Sequence, residues 1–330
     1  MKAIIRTEYG SPDVLESVDI ERPVPGKREV LVRVEAAGVD IGVWHLMTGL
    51  PTMARIALGA RRPRLPGLGT ELAGVVEAVG TDVTRFRIGD SVFGTGRGAF
   101  AEYAIASEDK LTTRPAGVTA QQAAASAVSG VTAVQALDAG RVATGQRVLV
   151  LGASGGVGSF VVQIAKALGA HVTGVASTSK LDSVRALGAD EVIDYTSTDA
   201  TDGSQRYDVI VDMGGNRPLA VLRRALGPHG RAVIVGGEEG GGRVLGGFQR
   251  SMFAGLASGL GRQRVVGIVS LTMTADLVRV GELLASGTMT SRIDRAYPLA
   301  QTADAIRRLE ARQVRGKLVI DLGLGKLAEK

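Results

Sequence analysis

The hydrophobic pattern divides the chain into a β-rich first third and a longer region where strands alternate with helices. Short apolar runs separated by Pro, Gly and Asp clusters predict strands over Lys2–Arg6, Glu29–Ala37, Glu71–Val79, Ser91–Gly94 and Ala101–Ile105. From about Thr119 the apolar residues recur at helical spacing, and buried-strand runs alternate with helices as far as Val269. We expect an α/β fold in which a doubly wound parallel sheet accompanies a smaller, barrel-like β domain.

The last part of the chain predicts two amphipathic helices, Ala275–Ala285 and Leu299–Glu310, followed by a strand over Lys317–Ile320. A final strand so far along the chain can still complete the first domain. We therefore predict one domain from residues 1–122 and 270–330, and a second from residues 123–269.

The most informative stretch is 148–158, which reads VLVLGASGGVG. An apolar run suited to a buried strand ends in a glycine-rich turn, and a helix-period segment follows up to Gly169. A helix N-terminus offers unpaired N–H groups to a pyrophosphate, provided that side chains stay clear of it. We assign a dinucleotide-binding turn to Ala153, Ser154, Gly155, Gly156 and Val157, although alanine replaces the first glycine of the usual G-x-G-x-x-G. An ordinary strand-turn-helix is the alternative.

The residues after the second strand, His171–Ala176, indicate which dinucleotide binds. An NAD site usually places Asp or Glu there, whereas this chain has Ser177-Thr178-Ser179-Lys180, with no carboxylate to repel a 2′-phosphate. Lys180 can pair with that phosphate, Ser177 can donate a hydroxyl, and Tyr195 can approach from the neighbouring loop. These residues favour NADPH over NADH, unless Lys180 is a solvated surface lysine.

Later segments add further predicted cofactor contacts. Runs at 209–211, 232–235 and 265–269 are candidates for buried strands. We assign cofactor binding to five residues in or after these runs: Gly214, Val235, Gly236, Val266 and Ile268.

Composition narrows the class of protein. The 330 residues are 45% hydrophobic and 22% charged, with a net charge of +6 and no cysteine, which excludes thiolate catalysis and cysteine-ligated zinc. The sequence contains no run of membrane-spanning length and begins on a strand pattern, so we predict a cytoplasmic protein without stable membrane insertion.

A basic cluster is formed by Arg55, Arg61, Arg62 and Arg64, and it has few aromatic neighbours. We therefore predict no nucleic-acid partner; RNA binding is the alternative.

Motifs along nearly the whole chain resemble those of one family. They are Tyr9–Leu15, Ala37–Asp40, Gly69–Glu71, Gly74–Gly80, Gly89–Asp90, Phe100–Tyr103, Ser129–Ala133, the glycine turn, Leu187–Tyr195 and Arg315–Ile320. In this order they resemble the zinc-independent medium-chain dehydrogenases/reductases, particularly the quinone oxidoreductase-like branch. The resemblance implies a GroES-like β-barrel domain built from both chain ends around a Rossmann domain, an active site in the cleft between them, and hydride transfer from a nicotinamide, often in a homodimer. It also places Thr132 near the nicotinamide ribose.

The same resemblance predicts that the protein has no metal site. Zinc-using relatives place Cys and His where this chain has Asp40 and Thr70, and the three histidines of this chain do not show a metal-ligand spacing. Without a Lewis acid, alcohol–carbonyl interconversion has little support. We predict instead hydride addition to an activated C=C bond or a quinone.

Candidate catalytic residues follow the strand Glu29–Ala37. Quinone reductase-like relatives often have asparagine at position 40 and aspartate at position 43, whereas this chain has Asp40 and Val43. Asp40 can donate a hydrogen bond to a substrate oxygen only when protonated, and a turn-forming role is the alternative. We predict that Asp40, Trp44 and His45 line or polarise the substrate site, with simple packing as the alternative for Trp44.

Two insertions, 46–68 and 240–264, are predicted to control access to the substrate. The second carries an apolar stripe that suits a pocket, a dimer contact or, least well, a membrane surface. The predicted function is an NADPH-dependent reductase of a hydrophobic substrate. The alternatives are a biosynthetic tailoring enzyme, such as an imine reductase or cyclase, and an NADPH-binding sensor without turnover.

Overall fold

A computed structural model describes residues 1–214, 217–236, 242, 244–246, 250–251, 254 and 262–323. The chain divides into two compact units. Unit 1 consists of Met1–Val131 with Thr272–Lys330, and unit 2 of Thr132–Leu271.

Unit 1 is rich in β-structure. Its strands are β1 (Lys2–Ile5), β2 (Glu16–Asp19), β3 (Glu29–Val39), β4 (Glu71–Val79), β5 (Ser91–Thr95), β6 (Tyr103–Ser107), β7 (Leu111–Thr113), β14 (Ile293–Pro298) and β15 (Lys317–Asp321). Its helices are α1 (Ile41–Thr48), α2 (Arg55–Leu58), α3 (Ala120–Ser126), α8 (Thr274–Ala285) and α9 (Thr302–Glu310). Within the described residues, the main sheet has the order β14-β15-β3-β4-β5-β7, with β6 also paired to β3.

Strand β3 is central to unit 1 because it pairs antiparallel with β4, β6 and β15. Its apolar residues Val30, Val32 and Val34 are fully buried and belong to a core shared with Phe100 and Ile320. The last strand of the chain therefore completes the sheet that the first strands begin.

Unit 2 is an alternating α/β structure. Its strands are β8 (Arg147–Leu151), β9 (His171–Ala176), β10 (Glu191–Asp194), β11 (Tyr207–Asp212), β12 (Leu226–Ile234) and β13 (Arg264–Gly267). Its helices are α4 (Ser129–Gly140), whose first residues belong to unit 1, α5 (Gly156–Ala167), α6 (Leu181–Arg185) and α7 (Leu219–Ala225). In the described part of unit 2 all strand pairs are parallel, in the order β10-β9-β8-β11-β12-β13. This is the doubly wound order 3-2-1-4-5-6, with its switch point between β8 and β11.

The unit boundaries differ from the predicted domain boundaries. Unit 1 continues to Val131 instead of residue 122, because α3 packs on β3 and β4. The helical period that begins near Thr119 therefore does not mark a change of unit. The second boundary, between Leu271 and Thr272, lies two residues beyond the predicted one.

Several predicted elements are shifted. The strand predicted at Ala101–Ile105 lies at Tyr103–Ser107, since Ala101 instead forms an isolated bridge with Ala3. The helix predicted from Leu299 starts with a short 3-10 turn, Leu299–Gln301, before α9. In the 46–68 insertion, α2 is a four-residue helix. All five residues of the predicted apolar stripe in the second insertion lie outside the described residues: Phe248, Met252, Phe253, Leu256 and Leu260.

Candidate functional site

The turn after β8 is shaped by glycines with different physical roles. Gly152 has φ +85°, a left-handed conformation that side chains rarely adopt. A Cβ on Gly158 would lie 2.1 Å from the carbonyl oxygen of Gly152, so a side chain there would push α5 away from β8. A Cβ on Gly155 would meet that same oxygen at an ordinary 3.4 Å. The fold therefore needs glycine at positions 152 and 158, whereas at 155 it can accept a Cβ.

Helix α5 begins directly at this turn. Gly155 is the N-cap residue and has no side chain that could accept a hydrogen bond from the first turn. The N–H groups of Gly156 and Val157 lack intrahelical acceptors, as in the first turn of any α-helix. Ala153 is fully buried and donates its N–H to Val175, while Ser154 lies between it and the cap. The turn can bind an anion through backbone N–H groups and the helix dipole.

The residues predicted for the adenosine phosphate lie at one corner of the sheet. Ala176 at the end of β9 is opposite Asp194 at the end of β10, and the Tyr195 N–H donates to the Ala176 carbonyl at 3.2 Å. Ser177 starts a short 3-10 turn that ends at Lys180. The structure thus brings Ser177, Lys180 and Tyr195 to adjacent loops, and their cofactor role stays a prediction.

The same corner also contains a carboxylate, Asp194, which lies outside the stretch 177–180 on which the NADPH prediction rests. The Thr178 hydroxyl donates to Asp194, which also accepts from the N–H of Thr196 at 2.9 Å and its hydroxyl at 2.7 Å. These bonds, the one from Thr178 above all, lower the pKa of Asp194, so the group is negative at neutral pH. The signal in the sequence is its position directly before Tyr195, at the end of a strand that pairs with β9.

The other predicted cofactor residues of unit 2 cluster at the carboxyl ends of strands. Gly214 follows β11, Val235 and Gly236 follow β12, and Ile268 follows β13, whereas Val266 lies within β13. A Cβ on Gly236 would lie 2.3 Å from the Met213 carbonyl oxygen. In doubly wound sheets the ligand binds at this edge.

Thr132 lies on α4, and its hydroxyl donates to Ser270 at 2.9 Å. The Thr132 side chain, which we predict to lie near the nicotinamide ribose, thus also contacts the loop after β13. The role itself stays a prediction.

Sequence reasoning missed Asp212, which organises the end of β11. Its side chain is 1% exposed and pairs with Arg250 at 3.2 Å. Its carboxylate accepts the Gly214 N–H at 3.0 Å, and its carbonyl accepts the Val235 N–H at 2.9 Å. The apolar run Val209–Val211 predicted the strand, but the aspartate that follows gives no sign of a partner 38 residues away.

In unit 1, Asp40 caps a helix. Its carboxylate accepts the Val43 N–H at 3.0 Å, and its own backbone is extended, as in a typical N-cap. The structure thus shows the turn-forming role that the sequence offered as an alternative. The catalytic role stays a prediction.

Trp44 and His45 lie on α1 with their rings in an edge-on contact, 5.1 Å between centroids. The Trp44 indole N–H donates to Glu310 at 2.7 Å, and the ring packs against the core of unit 1. The His45 Nδ1 contacts the Leu50 carbonyl at 2.6 Å, which requires the proton on Nδ1. Burial lowers the pKa of His45, against the opposing effects of that hydrogen bond and of the Asp40 charge.

A buried ion pair near Asp40 was also missed. The Lys317 Nζ lies 2.7 Å from Glu71 and 3.1 Å from the Ser129 hydroxyl, and both charged side chains are buried. Glu71 also accepts the Val128 N–H at 2.9 Å. Burial raises the pKa of Glu71 to about 7, partly offset by Lys317, while the Asp40 charge adds to the rise. Residues 246 positions apart cannot be paired from spacing alone.

The described residues contain neither a candidate metal site nor a candidate membrane span. No three His, Cys, Asp or Glu side chains there are grouped so that they could hold a metal ion. Across the described ranges, no helix combines the length and apolar character needed to cross a membrane.

Comparison with known families gives two matches along the chain. Residues 26–116 match the alcohol dehydrogenase GroES-like domain, and residues 187–320 match the family described as zinc-binding dehydrogenase. The first match lies in unit 1, whose β-rich sheet is therefore GroES-like.

Relatives resemble the chain over almost its full length. A quinone oxidoreductase of Pseudomonas aeruginosa is 33% identical over 97% of this chain and 99% of its own length. A chloroplastic quinone-oxidoreductase of Triphysaria versicolor is 30% identical, over 97% and 98%. The structure of Escherichia coli quinone oxidoreductase complexed with NADPH superposes with a TM-score of 0.83 and 26% identity, covering 97% of this chain and all of that one.

The GroES-like unit, the doubly wound sheet and these relatives define an oxidoreductase of the medium-chain type. The chain belongs to the medium-chain dehydrogenase/reductase family, in its zinc-independent, quinone oxidoreductase-like branch.

Proposed function

We propose that this protein is an NADPH-dependent reductase that adds hydride to an activated C=C bond or a quinone of a hydrophobic substrate. The observation that carries the proposal is the carboxyl edge of the unit 2 sheet. There the glycine turn opens α5 at the switch point, and Ser177, Lys180 and Tyr195 occupy the adjacent corner.

The residues of this edge fit a dinucleotide. Gly155 has no side chain, and a Cβ there would make only one ordinary contact of 3.4 Å, with the Gly152 carbonyl oxygen, so a pyrophosphate can approach the backbone. The N–H groups of Gly156 and Val157 point along the start of a 12-residue helix, whose dipole favours an anion. Lys180 and the hydroxyls of Ser177 and Tyr195 suit a 2′-phosphate. Bound NADPH would supply the hydride.

The substrate class rests on the relatives and on unit 1. The relatives are named quinone oxidoreductases, and relatives that use zinc carry Cys and His where this chain has Asp40 and Thr70. An enone or quinone needs a hydrogen bond to the oxygen on which charge develops.

In unit 1 the predicted catalytic residues differ in what they can donate. We assign the hydrogen bond to Asp40, whose carboxyl can donate when protonated. His45 could donate from Nε2 only as the cation, because the proton of its neutral ring lies on Nδ1, against the Leu50 carbonyl. Burial lowers the pKa of His45, so the neutral ring dominates at neutral pH. The Trp44 N–H is bonded to Glu310, so we assign Trp44 to lining the substrate site.

The decisive experiment is a titration of the purified protein with NADPH and NADH, followed by turnover assays at the nicotinamide absorbance band. We expect tighter binding of NADPH and its oxidation by quinones or enones. Lys180→Ala should weaken NADPH about tenfold, or ~1.4 kcal/mol, and NADH much less. Lys166→Ala is the control, since Lys166 lies near the far end of α5 and pairs with Asp190.

Other results would point elsewhere. Equal losses for both cofactors in Lys180→Ala would contradict the 2′-phosphate assignment. Tight NADPH binding without oxidation across quinones, enones and imines would favour a sensor. Turnover of imines alone would favour a tailoring enzyme, a candidate motivated by Asp40 and Val43 at the positions where relatives often have asparagine and aspartate.

We further propose that the protein is a cytoplasmic homodimer. The support for a dimer is the exposed apolar segment that follows β13, where Val269 is 70% and Leu271 65% exposed. Strand β13 is also an edge strand of the described sheet, and edge strands with apolar neighbours are common sites of association.

A further inference from the structure

A cavity of about 720 Å³ lies entirely within unit 1 and contains none of the residues that we assign to catalysis or to the cofactor. Strand β1, the segment around α2 and the loop between β5 and β6 contribute its walls. Apolar side chains line most of it, among them Ile4, Leu46, Leu58 and Ile105. Its volume is in the range of small-molecule sites, about 300–1,000 Å³.

The charged side chains that line this cavity are all arginines. They are Arg6, Arg64 and Arg97, and none of the described lining residues is an aspartate or glutamate. Arg97 is paired with Glu29 at 2.6 Å. For Arg6 and Arg64 the described part of the chain shows no carboxylate within ion-pair distance.

Arg6 is an unusual buried cation. Only 3% of the residue is exposed, and its guanidinium donates to the carbonyl oxygens of Leu46 at 3.0 Å and of Leu65 and Pro66 at 3.3 Å. Burial removes the guanidinium from water and so lowers the pKa of Arg6. Carbonyl dipoles orient this charge without neutralising it, so the apolar cavity has a positive potential.

Arg64 is also positively charged, and its side chain makes fewer hydrogen bonds than that of Arg6. It is exposed, and its guanidinium makes a single long contact of 3.5 Å with the Ile56 carbonyl. A guanidinium at the edge of an apolar cavity can form two parallel hydrogen bonds with a carboxylate.

We propose that this cavity is a binding site for a single-chain amphipathic carboxylate, with the apolar chain against Ile4, Leu46 and Leu58 and the carboxylate at Arg64. Charge complementarity selects the ligand class, since an anionic head balances two uncompensated arginines and an alkyl tail fits the apolar walls. The cavity includes residues of the 46–68 segment that we predict to control access to the substrate, so its binding is tested without nucleotide and separately from turnover.

The test is isothermal titration of the full chain with dodecanoate below its micelle concentration, without nucleotide. We expect saturable binding of one molecule per chain. Arg64→Gln should weaken dodecanoate about tenfold but leave dodecanol, which lacks the charge, unchanged. Arg61→Gln is the matched control, because Arg61 is exposed three residues away and does not line the cavity.

A second variant tests the cavity itself. Ala57 lines the cavity and is exposed on α2, so Ala57→Trp should fill the space with little effect on folding, which the melting temperature checks. Both dodecanoate and dodecanol should lose binding in this variant. The proposal is overturned if wild type shows no saturable binding, if Ala57→Trp binds normally, or if Arg64→Gln and Arg61→Gln behave alike.

Discussion

At the scale of single residues, a carboxylate accompanies the side chains that we assign to the 2′-phosphate of NADPH. Asp194 is held by the Thr178 hydroxyl and by both polar groups of Thr196. Its negative charge opposes the positive charge of Lys180 at the same corner of the sheet. The proposed preference for NADPH would therefore depend on the balance between these two charges.

Removing the Asp194 charge should shift that balance. We expect Asp194→Asn to tighten NADPH several-fold and to leave NADH nearly unchanged, because solvent screens a charge at an exposed site. Fluorescence titration with both cofactors measures the ratio. Asp202→Asn is a matched control. Asp202 accepts hydrogen bonds from the N–H of Ser204 at 2.8 Å and from its hydroxyl at 2.7 Å, and Asp194 accepts the same two bonds from Thr196. An unchanged NADPH/NADH ratio in Asp194→Asn would show that the phosphate binds elsewhere.

The buried Glu71–Lys317 pair should make the stability of the protein depend on pH. Both side chains are buried, and a Cβ on Gly38 would lie 1.9 Å from the Glu71 carboxylate, so the pair fills its space closely. The pKa of Glu71 is about 7, above its ordinary 4.5. The folded state therefore binds a proton more tightly than the unfolded state, and this group's contribution to stability falls as pH rises from about 4.5 to about 7.

Removal of the lysine should therefore have a pH-dependent effect. Lys317→Met leaves Glu71 buried without its cation, and we expect the free energy of unfolding to fall by about 3–5 kcal/mol when Glu71 is ionised. At pH 5 the loss should be smaller than at pH 8, because a protonated Glu71 needs no counter-ion. Urea denaturation at the two pH values measures the difference.

The control for this experiment is Arg307→Met, since Arg307 pairs with Asp13 at the surface and should change stability little at either pH. An equal loss at pH 5 and pH 8 in Lys317→Met would contradict the raised pKa of Glu71.

At the scale of elements, the strand-turn-helix β8–α5 shows what a local pattern can predict. The apolar run, the glycines and the helical period lie within about 20 consecutive residues, so their order alone indicates a phosphate-binding turn. The pattern did not separate the glycines by role. The structure does, because a Cβ on Gly158 would lie 2.1 Å from the Gly152 carbonyl oxygen, whereas a Cβ on Gly155 would lie at an ordinary 3.4 Å from it.

Two alanine variants should separate those roles. Gly155→Ala should keep the melting temperature but weaken NADPH and NADH alike, because its Cβ makes only an ordinary contact of 3.4 Å with protein and occupies the proposed pyrophosphate space. Gly158→Ala should destabilise the protein by about 1–3 kcal/mol, since its Cβ clashes with Gly152 and forces α5 off β8. Calorimetry and cofactor titration measure both effects. Normal cofactor binding in Gly155→Ala would contradict the proposal that the pyrophosphate binds at this turn.

At the scale of the whole molecule, the family motifs predicted both the fold class and the return of the last strand to unit 1. Long-range contacts were not predictable in the same way. Asp212–Arg250 and Glu71–Lys317 join elements that only the folded sheets bring together. Short elements such as α1 and β2 were missed because the apolar period over so few residues is weak.

The proposed homodimer is the prediction that belongs to this scale. Val269 and Leu271 are large exposed apolar residues beyond an edge strand, and burying them between two copies would be favourable, at about 25 cal/mol per Å² of apolar surface. The double variant Val269→Glu/Leu271→Glu would place charges in that contact. In sedimentation we expect wild type at twice the chain mass and the variant at the chain mass. Val24→Glu should remain dimeric, because Val24 is 86% exposed in unit 1 and lies outside this segment. A monomeric wild type at micromolar concentration, or a dimeric double variant, would contradict the proposed interface.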